Sequence, residues 1–268
     1  MRAPLRFTLA AFVLASTPAL AQILGTASPF AVLGATPNVT NVGPTVVVGS
    51  VGVWPAASIT GFPPGAIVPG TGVLHLGDAV AQQAQTDTTT AYNTLAGLPS
   101  AAVAPALGGQ TLTPGVYNAG AANLTGTVTL NGPGLYVFQT TGLTTAAGPG
   151  AAVVLLTNGA TACDVWWQVG SSATLGTFTA FQGNIIALTS ITVGTSASLS
   201  GRALARNGTV TLSSNGITAC TGGSTPGFNV PAFASTLGIT ATPALSSWML
   251  MLLALILGAA GLVAIRRH

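Results

Sequence analysis

Short runs in which apolar and small polar residues alternate cover the middle of the chain. Ile191-Thr192-Val193 and Val210-Thr211-Leu212 show this two-residue period, which is the pattern of a β-strand with one face buried and the other exposed. Stretches that begin at Trp166, Asn184 and Arg202 align at a spacing of 18 residues. A repeat of that length predicts one coil of a β-solenoid, with three short strands per turn.

Similar runs extend this pattern toward the N-terminus. The segment Leu135–Thr145 resembles Val165–Thr174, with Gln139 standing where Gln168 does, and the spacing of 29 residues indicates an insertion that lengthens that coil. Short apolar runs in residues 30–70 are assigned to the same solenoid. Corners between strands are expected at four glycines: Gly176, Gly183, Gly194 and Gly201.

The segment from Asp78 to Ala96 has a different period and contains neither Gly nor Pro. Asp78 suits the start of a helix and Gly97 its end. Four apolar residues fall on one helical stripe: Val80, Ala84, Ala91 and Leu95. The pattern therefore predicts one long helix packed against the side of the solenoid. A crossover helix of a doubly wound sheet is the alternative, but it would require further helices before the C-terminal tail, and the sequence predicts none.

The N-terminus has the features of a secretory signal at residues 1–21. Arg2 and Arg6 form a basic region, an apolar stretch follows, and Ala19-Leu20-Ala21 fits a cleavage site. The apolar run is too short for a membrane-spanning helix. We therefore expect an exported protein whose mature chain begins at Gln22.

The C-terminus predicts a membrane helix and a sorting signal over residues 242–268. Eighteen uncharged residues from Trp248 to Ile265 are long enough to span a bilayer core, and a basic pair follows them. The tail resembles the IPTL-type sorting signals of Gram-negative bacteria, which implies handling by an exosortase-like membrane protease and initial anchoring in the inner membrane. The matching positions are Pro243, Leu245, Ser246, Trp248, Arg266 and Arg267. A permanent tail anchor is the alternative.

These two ends divide the chain into four parts. Residues 22–221 are the predicted solenoid domain, and residues 222–241, rich in Gly, Pro, Ser and Thr, are a linker that separates the domain from the membrane. The mature protein is expected at the cell surface or outside the cell.

Charge is scarce, and its placement excludes one class of partner. Only 3% of the residues are charged, with six Lys or Arg and three Asp or Glu in the whole chain. Outside the two ends the charged residues are Asp78, Asp87, Asp164, Arg202 and Arg206, so the net charge there is −1. A protein that binds nucleic acid needs clustered cations to neutralise phosphates. We therefore expect no nucleic-acid partner.

The sequence offers little for catalysis. An enzyme needs acids, bases or metal ligands in a cluster, whereas the mature domain has one His, three Asp and no Glu or Lys. His75 and Asp78 are spaced as a metal pair would be, but a structural role at the helix start is the simpler interpretation. Asp87 is expected to be solvated or paired with Arg. No catalytic residue, cofactor or metal is predicted.

Three further residue types have mainly structural interpretations. Cys163 and Cys220, the only cysteines, are expected to form a disulfide in an exported protein, and two free buried thiols are the alternative. Arg202 and Arg206 are expected to cap coil ends by bonding to carbonyl groups or to Asp164.

Seven stretches in order along the chain give a family resemblance. They are Leu24–Leu33, Val39–Thr45, Thr60–Gly65, Ala91–Asn93, Leu112–Tyr117, Cys163–Thr177 and Gly201–Gly208. With them the domain resembles the bacterial and fungal ice-binding proteins of the DUF3494 type. The resemblance implies a mainly β fold, a right-handed, discontinuous, three-faced β-solenoid flanked by one long α-helix at about 78–96. It also implies adsorption to ice through one flat face.

Candidate ice-contacting residues follow from matching the coils by register. Thr141-Gly142-Leu143-Thr144 fits a Thr-Ala/Gly-x-Thr/Asn repeat that some members of the family show. The predicted first row is Thr145, Thr174, Thr192 and Thr211, and the predicted second row is Ser171, Thr189 and Asn207. The opposing interpretation is that these are ordinary solvent-facing strand positions.

Two functional hypotheses follow. The first is a non-catalytic, exported ice-binding protein whose partner is ice or another repeating surface. The second is a structural adhesin or glycan-binding solenoid of the cell surface or biofilm matrix. Aromatic residues along an outer face would favour glycan binding, whereas a flat face of Thr would favour ice.

Overall fold

Alternate side chains of each coil turn inward, and the coils stack into a three-sided parallel β-solenoid. The computed structural model describes residues 23–220, and one long helix lies along the side of this solenoid. The predicted signal, most of the linker and the C-terminal sorting segment lie outside the described residues. No helix within the described part is long and apolar enough to cross a membrane.

The described residues contain one α-helix, α1 (Ala79–Ala96), and 22 short strands. The strands are β1 (Phe30–Gly34), β2 (Val39–Val42), β3 (Val46–Val48), β4 (Ser50–Val53), β5 (Ile59–Thr60), β6 (Ala66–Ile67), β7 (Leu74–Leu76), β8 (Ala101–Ala102), β9 (Thr111–Leu112), β10 (Gly115–Leu124), β11 (Gly126–Asn131), β12 (Tyr136–Thr145), β13 (Ala152–Thr157), β14 (Val165–Val169), β15 (Ala173–Leu175), β16 (Ala180–Gln182), β17 (Asn184–Ala187), β18 (Ile191–Val193), β19 (Ser198–Ser200), β20 (Ala203–Ala205), β21 (Val210–Ser213) and β22 (Gly216–Thr218).

The strands form two parallel sheets that enclose the core from three sides. In the 14-stranded sheet, the ten-residue strands β10 and β12 bend across a corner and so belong to two faces. The helix face consists of β1, β4, β7, β8, β14, β17, β20 and the first halves of β10 and β12. The threonine face consists of β2, β5, β15, β18, β21 and the second halves of β10 and β12. The 8-stranded sheet is the third face.

The order of coils in space differs from their order in the chain. Coils follow one another from β8 to β22, and the first coil of the chain, β1–β3, then stacks on the last one, β20–β22. We call this junction the seam. Its register pairs include Val32 with Ala203, Val39 with Val210, and Val47 with Ile217. The resemblance had implied this discontinuity, whereas the hydrophobic pattern alone does not reveal it.

The 18-residue repeat predicted from the sequence is confirmed by the strand register. Trp166 pairs with Asn184, and Gln139 pairs with Gln168. Inside the solenoid, Trp167 is fully buried and lies between Phe138, at 4.1 Å, and Phe181, at 4.9 Å between ring centroids. Stacked rings of this size contribute much of the buried apolar area of such a core.

Helix α1 begins and ends where the sequence predicts. The carboxylate of Asp78 accepts a hydrogen bond from the backbone N–H of Ala81 at 2.8 Å, and Gly97 is the C-terminal cap. The predicted stripe was wrong at Val80, which is 50% exposed, while Ala81 is fully buried. The buried positions follow spacings of three and four residues from Ala81, so Val80 lies to the side of the contact stripe.

Two glutamine side chains fix α1 to the helix face. The Nε2 of Gln85 donates to the carbonyl groups of Gly34 and Ala205, which lie on opposite sides of the seam. The Nε2 of Gln139 donates to the carbonyl groups of Leu95 and Leu98 at the end of the helix. The helix therefore covers this face along its length, and only the threonine face and the third face are open.

The seam is also held by a buried cation and a disulfide. Arg202, 6% exposed, donates to the carbonyl groups of Ser28 and Cys220 and to the Oδ1 of Asn184. Burial lowers the pKa of Arg202 to about 10, so its guanidinium remains charged at neutral pH. Cys220 is joined to Cys163 by a disulfide with 5.4 Å between the Cα atoms. The expected bonding of Arg202 to carbonyl groups is confirmed.

Candidate functional site

A straight column of seven polar side chains runs along the middle of the threonine face. Each member pairs in register with the next, from one coil to its neighbour. The column consists of Asn123, Thr144, Thr174, Thr192, Thr211, Thr40 and Thr60. Because parallel strands lie about 4.8 Å apart, the column is roughly 29 Å long. We call it the threonine column.

Small side chains border the threonine column on both sides. The positions two residues before its members are Ala121, Gly142, Ser172, Ser190, Thr209, Asn38 and Ser58. The positions two residues after them are Thr125, Ala146, Gly176, Gly194, Ser213, Val42 and Phe62. None of these positions carries a charge, and all but Phe62 are small or medium in size. The face therefore presents a flat array of methyl and hydroxyl groups.

The alternation of the strands fixes these side chains in place. The residues between the column and its borders point inward, as Leu143, Ala173 and Ile191 do at 0% exposure. A β-branched Thr on such a backbone has few rotamers. At the seam, the Oγ1 of Thr40 donates to the Oγ1 of Thr211 at 3.4 Å. The array is therefore rigid before any ligand arrives.

Buried hydrogen bonds stiffen the corner between the threonine face and the third face. The Nδ2 of Asn215 donates to the carbonyl groups of Gly194 and Ala197, and its backbone N–H donates to the Oγ1 of Thr45. These bonds connect successive coils across the seam, because Thr45 belongs to the first coil and Asn215 to the last. Polar groups buried at this corner are satisfied, so the corner resists local unfolding.

The predicted first row was wrong by one residue in the coil of β12. Thr145 points inward with 8% exposure, and its hydroxyl bonds to the Oγ1 of Thr179 at 2.7 Å and accepts from the N–H of Gly176 at 2.8 Å. Thr144 takes its place, in register with Thr174. Thr174, Thr192 and Thr211 stand in the column as the predicted row requires.

The predicted second row lies at a corner and not within the threonine face. Ser171, Thr189 and Asn207 are exposed at the turn between the helix face and the threonine face, and the N–H of Thr189 donates to the carbonyl of Ser171. Thr141 is exposed at the same corner and accepts a hydrogen bond at its carbonyl from the Ser171 hydroxyl. These side chains form an edge beside the threonine column.

The register at Thr144 and Thr145 can be tested by stability. We expect Thr145→Val to lower the free energy of unfolding by about 1–2 kcal/mol, because Thr179 and Gly176 lose a buried partner. Thr144→Val should change it by less than about 0.5 kcal/mol, because this side chain is exposed. Urea denaturation of the two variants measures both values. Equal losses in the two variants would contradict the register.

Charged groups in the described part of the chain lie away from the threonine face. Asp87 accepts hydrogen bonds from the N–H and Oγ1 of Thr26 and from the Nε2 of Gln83. Burial raises the pKa of Asp87, but these hydrogen bonds outweigh it, so the pKa lies below its usual value. Arg206 lies over the ring of Tyr92, 4.5 Å from the centroid. The expected pairing of Asp87 with Arg is replaced by bonds to neutral groups.

His75 and Asp78 form an ion pair that belongs to the helix start. The Nδ1 of His75 lies 2.8 Å from the Oδ2 of Asp78. The N–H of Ala81 and the His75 ring hold the pKa of Asp78 below its usual value. Across residues 23–220 there is no group of three or more His, Cys, Asp or Glu side chains that could hold a metal ion.

Comparison with known proteins gives the same assignment. The family model described as Ice-binding-like matches residues 33–218. The chain belongs to this ice-binding-like family. An ice-binding protein of Nostoc sp. (strain HG1) is 51% identical over 202 residues, which is 72% of this chain and 72% of that protein.

Solved structures of ice-binding proteins share the fold of this ice-binding-like domain. A crystal structure from an Antarctic biological consortium has a TM-score of 0.69 and 41% identity, covering 82% of this chain and 96% of that one. A structure from the Antarctic ascomycete Antarctomyces psychrotrophicus has a TM-score of 0.68 and 41% identity, covering 74% of this chain and 98% of that one. Because the matched region is nearly the whole of the second protein, a domain of this extent folds on its own.

Three members of the threonine column were not identified from the sequence of this ice-binding-like domain. Thr40 and Thr60 lie in the first two coils of the chain, and Asn123 lies in β10. All three occupy outward positions of alternating runs, such as Val39-Thr40-Asn41. That signal was present, but only the order of coils at the seam places Thr40 beside Thr211.

Proposed function

We propose that this domain binds ice through the threonine face, without catalysis and without a cofactor. The observation that carries the proposal is the threonine column, in which seven coils place one Asn and six Thr side chains in register. Relatives named as ice-binding proteins support it. The threonine face is the open face on which hydroxyl-bearing side chains are aligned in this way.

The chemistry of the threonine column suits adsorption to a solid lattice of water. Each Thr offers a methyl group and a hydroxyl group on a stiff stem, and the spacing of about 4.8 Å between strands repeats along the column. Because the side chains are already ordered, binding loses little conformational entropy. Aromatic side chains, which would favour a glycan ligand, are absent from the column itself. The face therefore favours ice over the adhesin alternative.

The test is direct measurement on the domain of residues 22–221. We expect thermal hysteresis and inhibition of ice recrystallisation in a solution of this domain. A heat-unfolded and then reduced sample at the same concentration is the control, because it has the same composition without the ordered face. If the folded domain shows neither activity, the proposal is wrong.

We also propose that the domain is exported and then tethered to, or released from, the cell surface. Support comes from the sequence alone: a signal at 1–21, a linker at 222–241, and a sorting segment at 242–268 with its apolar stretch and Arg266-Arg267. We expect mass spectrometry of the protein from cells to show Gln22 as the first residue and a C-terminus near residue 242. Retention of the full C-terminal segment would indicate a permanent anchor instead.

A further inference from the structure

The two ends of the solenoid differ in how they are closed. At the end formed by β8 and β9, Leu107 is fully buried. The side chain of Gln110 donates to the carbonyl groups of Ala104 and Ala106 and so fixes the loop over the core. At the opposite end the last coil consists of β5, β6 and β7. We call this second end the open end.

The open end exposes residues that would be core residues in any other coil. Leu74 and Leu76 pair in register with Val51 and Val53, which are fully buried. They point toward the solenoid axis, yet they are 37% and 47% exposed. No further coil among the described residues covers them.

Exposed apolar residues are concentrated at this end. Eight large hydrophobic side chains are exposed in the described part of the chain, and four of them lie between residues 73 and 80. These four are Val73, Leu74, Leu76 and Val80. A contiguous apolar patch on the end of a repeat domain, where a polar cap is the norm, marks a contact surface.

We propose that the open end docks against the open end of a second copy of this chain, forming a two-fold dimer. The surface is three-sided, with a short unpaired strand along each side, and a single helix or strand would cover only one side. A second coil of the same shape covers all three. Charge also fits this partner, because Asp78 is the one charged side chain beside the patch and it is paired with His75.

The closed opposite end determines the kind of assembly. Head-to-tail stacking would need two open ends on each copy and would produce a fibre. With one open end, association stops at the dimer. The strands there are only two or three residues long, and Pro63, Pro64 and Pro69 beside them have no N–H to donate. We therefore expect a weak dimer that forms at high protein concentration.

Sedimentation velocity over a concentration series tests the proposal, and it needs no ice. For the domain of residues 22–221 we expect a monomer–dimer equilibrium. The double variant Val73→Glu/Val80→Glu should raise the dissociation constant at least about tenfold, because two carboxylates per copy would be buried in an apolar contact. The matched control is Leu155→Glu, an equally exposed apolar position on the third face, which should dimerise as the unchanged domain does.

A second measurement avoids the variants, should they fail to fold. Hydrogen exchange at the backbone amides of residues 74–76 should slow as the protein concentration rises, whereas exchange in β9, at the closed end, should not change. A domain that stays monomeric throughout, or a double variant that dimerises unchanged, overturns the proposal. Dimerisation of residues 22–221 but not of 22–241 would also overturn it, because the linker would then be what covers the open end.

Discussion

The double variant Thr174→Tyr/Thr192→Tyr is expected to lose thermal hysteresis to near the background of the buffer. Thr174 and Thr192 are adjacent members of the threonine column, in the middle of the face. A phenol ring at each position would stand several ångströms above the small side chains around it. Because a solid surface cannot adapt to such a projection, the neighbouring Thr side chains would be held away from the ice.

This loss must occur without a loss of the fold. Tyr is favourable at an exposed strand position, so the free energy of unfolding should change by less than about 0.5 kcal/mol. Thr218→Tyr on the third face and Thr94→Tyr on the outer side of α1 are matched controls, since both residues are exposed. Both controls should keep full activity. Full activity in the double variant would show that ice is bound elsewhere.

The variant Arg202→Met is expected to destabilise the domain by about 3 kcal/mol. Its removal leaves the carbonyl groups of Ser28 and Cys220 and the Oδ1 of Asn184 without the donor that now bonds them. Each buried acceptor without a partner costs about 1–3 kcal/mol, and the desolvation of the guanidinium offsets part of that sum. For a domain of this size the melting temperature should fall by roughly 6–12 °C.

The companion variant Arg206→Met distinguishes the seam from a general effect of lost charge. Arg206 is half-buried and contacts the ring of Tyr92 and the hydroxyl of Thr89. Loss of a cation–π contact at such a site costs about 1 kcal/mol. Calorimetry on both variants gives the comparison. If Arg202→Met is as stable as the unchanged protein, Arg202 does not hold the seam.

The repeat and the helix could be predicted from the sequence because both rest on local periodicity. The 18-residue spacing of Trp166 and Asn184 became a register pair, and Asp78 caps α1. Each of these features depends on residues within one or two coils. Hydrophobic alternation and capping chemistry are sufficient at that range.

The error at Thr145 shows where periodicity fails. Thr140 pairs with Val169 at a difference of 29 residues, but Thr144 pairs with Thr174 at a difference of 30. One additional residue therefore lies in the corner between β14 and β15. Because side chains alternate along a strand, a shift of one residue exchanges the inner and outer faces. A corner insertion of this kind leaves no signal in the alternation on either side of it.

The seam could not be derived from periodicity at all. Nothing local in Val39-Thr40-Asn41 indicates that Thr211 lies beside Thr40 and not in a coil that follows directly. Contacts between residues so distant in sequence depend on which strand edges remain free after the rest of the chain has folded. The family resemblance supplied this part of the architecture, and the threonine column is complete only because of it.

Because the seam brings the first coil against the last, the domain cannot be lengthened at its termini as an ordinary repeat protein can. A coil added before Ile23 or after Cys220 would have no free strand edge to join, since both chain ends leave the solenoid at an already paired layer. Duplication of one 18-residue unit, such as residues 184–201, would instead insert a new layer within the stack. Evolution or protein engineering would therefore extend the crystal-facing surface by copying an interior repeat, one hydroxyl-bearing rung at a time.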